Sequence, residues 1–241
     1  MARGGLLAGY VLHQRSFRER SQLVELFTAE EGRCGVVARR SRRQPLRLFQ
    51  PLAFRLSGRG ELLRLQQWEE RGPGLWLEGG PLVCGLYLNE LLYRLLHRGL
   101  AQPELFAAYE AALAALAALS DGLGESVPGG AQRALLERVL RQFELLLLEV
   151  LGYAVDVVAD AGGAALEADC RYRFEAGRGL VPALEGPLSG QGLLDHARGR
   201  WTEAAQRDLK LLCRQALAPH LGGRPLRSRE LFPRQRNPAG E

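Results

Sequence analysis

The first seventy residues never keep one hydrophobic period for long. LLAGYVLHQR, SQLVELFT, GRCGVVARR, LFQPLAFRLSG and GELLRLQQWEE follow one another, each short, β-prone and ended by Gly, Pro or a charged turn. Alternation is plain where Leu63 and Leu65 point one way and Arg64 and Gln66 the other. Five such strands left as an open sheet would expose edges that invite pairing with another chain. The stretch therefore predicts a small closed barrel of the OB type. RGPGLWLEGG (residues 71–80), rich in glycine, reads as a turn or linker.

From Pro81 the period becomes helical. Leu88, Leu91, Leu92, Leu95 and Leu96 form one broad stripe, Pro103 suits the first position of a second helix, and SDGLGESVPGG (residues 120–130) breaks the pattern. A third helix carries Leu135, Leu136, Val139, Leu140, Phe143, Leu146, Leu147, Val150 and Leu151 at apolar positions, with Leu145 and Leu148 widening the face. A helix apolar on so many sides belongs at a domain centre. Residues 152–200 are irregular in pattern apart from a hairpin of CRYRFE and GLVPAL. Thr202 is placed to cap a last helix, which Pro219 and Gly222-Gly223 stop. The expected fold class is α+β. A five-stranded barrel over residues 1–78 precedes a helical domain over 79–241, which holds a small β-hairpin insertion at about 155–200 and ends in a basic tail.

The formal net charge of +5 sits at the chain's two ends. Residues 1–70 carry 13 arginines against 7 carboxylates and residues 222–241 carry 5 against 2, whereas residues 71–221 carry 14 basic and 18 acidic groups. Such asymmetry points to a polyanion, nucleic acid before anionic membrane. Lys210 is the only lysine, so the placement of the arginines is informative and their type is not. VARRSRR (residues 37–43) crowds four like charges together, an arrangement that a negative partner would complete. QRSFRER sets Arg15, Arg18 and Arg20 around Phe17 in the predicted turn between the first two strands, and Arg39, Arg40, Arg42, Arg43 and Arg47 occupy the loop after the third. An OB barrel binds strands through its loops, with cations on phosphates and rings under bases, which makes these nine the candidate nucleic-acid residues. Phe17 is explained equally well as a half-buried strand-end ring.

Signs of chemistry are missing. Cys34, Cys84, Cys170 and Cys213 lie far apart with no CxxC pair, which argues against a zinc site, and His13, His97, His196 and His220 are scattered. There is no GxSxG, Walker loop or GxGxxG after a strand, and the adjacent Asp195 and His196 have no serine placed by spacing. No enzyme activity, cofactor or metal is expected. MARGGLLAGYVLHQR is too short and too interrupted for a secretory signal. LFAAYEAALAALAAL (residues 105–119) contains Glu110 and falls short of the roughly 20 residues that a membrane span needs. A cytoplasmic protein with no membrane partner is expected. The residues alone fit a DNA-binding protein, an RNA-binding or ribosome-associated OB protein, or an interaction scaffold whose arginines face solvent.

GYVLHQRSFRERSQLVELFTAEEGRCGVVARRSRR resembles the N-terminal segment of the RecO family of bacterial recombination mediators. GLYLNELLYRLL (residues 85–96) and LGGRPLRSRELF (residues 221–232) are similar to later stretches of the same family. The resemblance implies an OB-fold domain, a helical domain and a small irregular region. It implies a DNA repair protein that binds single- and double-stranded DNA, anneals complementary strands and, with RecR, helps the recombinase replace single-strand-binding protein. It further implies docking of that protein's acidic, Phe-ending C-terminal tail on the helical domain. RVLRQFELLLLEVLGY (residues 138–153) resembles the region concerned, with Arg141 the candidate for carboxylates and Leu140 or Phe143 for the socket. Ordinary core packing explains Leu140 and Phe143 at least as well. Where the family pattern has glycine two positions after its VA pair, this chain has Arg40. Some members hold a four-cysteine zinc site in the region of residues 155–185, where this chain has only Cys170, so no zinc is expected. Arg224, Arg227 and Arg229 of the C-terminal stretch either touch DNA or close the fold.

Overall fold

The computed structural model describes residues 5–60, 62–121 and 129–231. Most of the predicted break at 120–130 and the end of the basic tail lie outside them. Five strands open the chain: β1 (Leu7–Phe17), β2 (Ser21–Thr28), β3 (Gly32–Arg39), β4 (Leu52–Ser57) and β5 (Leu62–Glu70). They close into a barrel in the order β1-β2-β3-β5-β4, antiparallel throughout except for the β3–β5 pair, as an OB fold requires. Alternation decides which side chains fill it. Val11, Val24, Leu26, Val36, Leu52, Phe54 and Leu56 point inward, and Leu46, from the loop after β3, joins them.

The outward positions of β1 and β2 are buried too, because the helices cover them. Tyr10, Leu12 and Phe27 belong to a second core with Leu88, Leu92, Phe106, Tyr109 and Leu113. That is why β2 is buried at every position from Val24 to Thr28. Buried polar atoms at this junction are paired. Tyr109 Oη donates to Asn89 Oδ1 at 2.5 Å, Asn89 Nδ2 donates to Leu12 O at 3.2 Å, and Tyr10 Oη donates to Glu110 Oε1 at 3.1 Å. Glu25 faces the same side and takes both Arg33 Nε, at 2.9 Å, and Arg98. Arg33 Nη1 also donates to the carbonyls of Tyr93 and Leu96.

The helical part comprises α1 (Gly79–Leu95), α2 (Pro103–Asp121), α3 (Gly129–Val150), α4 (Gly190–Ala197) and α5 (Glu203–Leu217), with a short 3-10 turn Ala218–Leu221 and α6 (Arg227–Glu230) after them. Pro103 opens α2 as its position predicts. By length and apolarity α2 is the one described helix that could cross a membrane, yet Leu105, Phe106, Tyr109, Leu113 and Leu116 bury one side of it in the shared core. On α3, Leu135 is exposed, contrary to expectation, whereas Leu136 next to it turns toward the neighbouring helices and packs against the shared core. The predicted hairpin is β6 (Arg171–Glu175) with β7 (Gly179–Pro182), and β8 (Leu188–Ser189) adds to the free edge of β6. This sheet packs on α4 and α5 through Leu166, Tyr172, Leu180, Leu193, Leu209 and Leu212. The helix α4 carried no sequence signal: it is eight residues long with glycine at two positions, and its anchor is non-local. Ser189 caps it by accepting from Gly192 N and is itself held by Asp208. Thr202 caps α5 as expected, accepting from Ala205 N at 3.2 Å.

The loop between α1 and α2 is pressed against the barrel. Gly99 N donates to Arg33 O at 2.8 Å, and Gly32, at φ +66, faces Leu100 so closely that a Cβ would stand 1.8 Å from its carbonyl oxygen. Only glycine fits there. Gly32→Ala should lower unfolding free energy by about 3 kcal/mol, from left-handed strain plus overpacking, in urea denaturation. A loss below about 0.5 kcal/mol would mean that the loop yields freely.

Candidate nucleic-acid interface and a cationic pocket

The strand register gathers the sequence-predicted arginines on one side of the barrel. Residues directly opposite on paired strands share a face. Arg15 lies opposite Leu23, Leu23 opposite Val37, and Val37 beside Arg64. One step along, Phe17 pairs with Ser21 and Ser21 with Arg39. Since positions two apart on a strand also share a face, Arg15, Phe17, Arg39 and Arg64 stand on one outer surface across β1, β2, β3 and β5. Arg15 and Phe17 thus belong to β1 itself, which runs two residues beyond the predicted strand, and the turn proper is Arg18, Glu19 and Arg20. Arg18 takes a left-handed φ of 54 and sets its guanidinium 5.1 Å over the Phe17 ring.

Arg40 N donates to Arg20 O at 3.0 Å, so the first turn and the arginine loop meet at one end of this surface. Arg40, Arg42, Arg43 and Arg47 are all exposed. The loop is nevertheless anchored: Leu46 is buried in the barrel, and Gln14 Nε2 donates to its carbonyl at 3.4 Å. The arrangement is a cationic rim around a partly apolar sheet, with Phe17 half-buried. It offers charge to a phosphate track and leaves no acidic group but Glu19 in the turn itself. Sequence reasoning missed Arg64. Its exposure was legible from alternation, but its place beside Val37 depends on the parallel β3–β5 pairing, which no local pattern encodes.

On the helical part, α1, α3, α5 and α6 enclose a pocket of about 540 Å³. Leu136, Leu140 and Tyr87 give it an apolar wall. Arg141 lies in its lining but is only 6% exposed, with Nη2 2.7 Å from Glu144 and Nη1 3.7 Å from Glu137. Glu144, 1% exposed, also accepts from Tyr87 Oη at 2.5 Å. Burial pushes the Glu144 carboxyl up against the pull of Arg141, and burial with Glu144 beside it pushes the Tyr87 phenol up. Arg141 is a charge largely answered inside the protein. The pocket's outer cations are Arg133, Lys210 and Arg214, all exposed, and the half-buried Arg229; Lys210 also pairs with Glu137. Phe143 lies away from this lining, packed in the shared core with its ring 6.4 Å from that of Tyr109. Arg133, Lys210 and Arg214 had no signal in the sequence because they converge from two helices far apart in the chain.

The remaining candidates have structural work. Asp195 accepts from Gln191, Arg200 and Thr202, tying α4 to α5. None of the four cysteines is joined in a disulfide, and among the described residues no group of three or more His, Cys, Asp or Glu side chains could hold a metal ion.

A family model described as Recombination protein O N terminal matches residues 6–72, and one described as Recombination protein O C terminal matches residues 80–127. Among curated proteins, DNA repair protein RecO of Stutzerimonas stutzeri is 43% identical over 92% of this chain and 91% of its own length. The proteins of that name from Methylococcus capsulatus and Pseudoalteromonas atlantica are 41% and 39% identical, over 92% and 94% of this chain and 90% and 93% of their own lengths.

Proposed function

This chain belongs to the RecO family of DNA repair proteins, and on that premise we propose that it is a non-catalytic mediator of homologous recombination in the bacterial cytoplasm. It binds single- and double-stranded DNA on the barrel, anneals complementary strands and, with RecR, promotes loading of the recombinase onto DNA coated by single-strand-binding protein. The observation that carries this reading is the joining of Arg15, Phe17, Arg18, Arg20, Arg39 and the 40–47 loop on one side of the barrel, with Arg64 beside them. Two DNA strands repel each other through their phosphates. A surface that neutralises phosphate without occupying base edges lowers the cost of bringing them together.

The cationic pocket supplies the second half. Carboxylates of the coating protein's acidic tail meet Arg133, Lys210, Arg214 and Arg229, and its terminal ring enters beside Leu136, Leu140 and Tyr87. Arg141 supports that surface from within through its pairs with Glu144 and Glu137.

The test is annealing of complementary strands precoated either with intact single-strand-binding protein or with a version lacking the acidic tail. Acceleration is expected on the intact coat and should be largely lost on the truncated one. Annealing on neither coat, with folded protein, would overturn the mediator reading. Equal acceleration on both would remove the pocket from it.

A further inference from the structure

Arg229 reaches the pocket on a helix that its own sequence does little to hold. The four-residue α6 has no side-chain cap of its own and follows Gly222 and Gly223, both at left-handed φ. Its backbone is secured from α1. Glu90 accepts from Ser228 N at 2.9 Å, Ser228 Oγ at 2.6 Å and Arg227 N at 3.0 Å, the task of an N-cap performed from another helix. One turn further along α1, Arg94 donates to the carbonyls of Leu221, Arg224 and Pro225 at 2.6, 2.8 and 3.1 Å. Leu226 is buried in the shared core. The C-terminal segment therefore closes the fold. Burial pushes the Glu90 carboxyl up, but the bonds from Ser228 and Arg227 and the nearby Arg94 outweigh it and hold it below the usual carboxylate range. Within this frame the Arg229 guanidinium lies 5.7 Å from the centre of the Tyr87 ring, with Nη2 3.5 Å from Tyr87 Oη.

We propose that Glu90 is a positioning residue for the cationic pocket: it fixes the Arg227–Glu230 turn so that Arg229 is presented beside Tyr87 to the carboxylates of an incoming acidic chain end. This inference rests on the reading of the pocket as the docking site of an acidic tail. Glu90 does not itself line the pocket, so its influence passes through Arg229. An acid that strengthens the capture of another acid is the opposite of what charge alone dictates.

The experiment measures binding of a short, fluorescently labelled acidic peptide ending in phenylalanine to the full chain and to Glu90→Ala, Glu90→Gln, Arg229→Ala and the Glu90→Ala/Arg229→Ala double variant. DNA binding serves as a control on the barrel. Each alanine variant should lose about tenfold in peptide affinity, and the double variant no more than the worse single. Glu90→Gln, which retains an oxygen to accept from Ser228, should recover part of the loss while DNA binding stays unchanged. Wild-type affinity in Glu90→Ala, or losses that multiply in the double variant, would overturn the proposal. If Glu90→Ala fails to fold, Glu90→Gln with and without Arg229→Ala decides by the same criterion. A wild-type chain that does not bind the peptide overturns the docking reading and this inference together. Weakening by Lys210→Ala or Arg214→Ala without any effect of Glu90→Ala or Glu90→Gln overturns this inference alone.

Discussion

Replacing Arg39, Arg40, Arg42 and Arg43 together with alanine is expected to weaken DNA binding about a hundredfold at moderate salt and to flatten the fall of log K with log salt by about 3. Each single-strand phosphate that is no longer neutralised takes roughly 0.7 from that slope, so four such phosphates account for the change. The weakening should be uniform across DNA sequences, because cations on phosphates position a strand without reading it. All four side chains are exposed, so the melting temperature should hardly move. Titrations at several salt concentrations decide the matter. An unchanged slope would take the loop out of the interface and leave the Arg15, Arg39 and Arg64 surface to account for binding with one member already gone.

Glu144→Ala is the substitution with the largest expected cost in stability, about 3 to 5 kcal/mol. It would leave Arg141, 6% exposed, with its closest counter-charge removed and only the more distant Glu137 to answer it. Tyr87 Oη would lose its acceptor at the same time. Replacing both members of the pair, as in Arg141→Met/Glu144→Leu, should restore most of that stability, since the penalty lies in the stranded charge and not in the absence of the pair. Denaturant unfolding of Glu144→Ala and of the double variant tests this. A cost below about 1 kcal/mol for Glu144→Ala would show that water reaches Arg141 readily.

What was legible in the sequence follows from the range of the interactions involved. Strands β1 to β5 announce themselves through alternation and turn residues, and Pro103 and Thr202 mark helix starts because capping acts within one turn. Barrel closure was inferable only as a way to avoid exposed edges. By contrast, α4 depends on Asp208 reaching Ser189 from α5, and no window of sequence contains that bond. The candidate sites divide the same way. The arginine loop is contiguous in the chain and was visible at once, whereas Arg64 joins it through a parallel pairing. At the pocket, two of the three residues picked from α3 by resemblance line it, while the exposed cations come from the start of α3 and from α5, and the half-buried Arg229 comes from α6. Leu140, Arg141 and Phe143 also show how one helix turn serves two masters: Leu140 and Arg141 line the pocket and Phe143 packs behind it.

Tyr10, Leu12 and Phe27 share one core with α1 and α2, and the Glu25, Arg33 and Arg98 cluster closes its edge. The barrel and the pocket are thereby kept at a constant separation and orientation. For a partner that presents both a DNA strand and a tethered acidic tail, the second contact becomes an intramolecular event. Its effective concentration is then set by the partner's tether and by this fixed span. Shortening or lengthening the tether should therefore tune avidity without altering any contact, with a maximum where the tether's reach matches the distance that the shared core imposes.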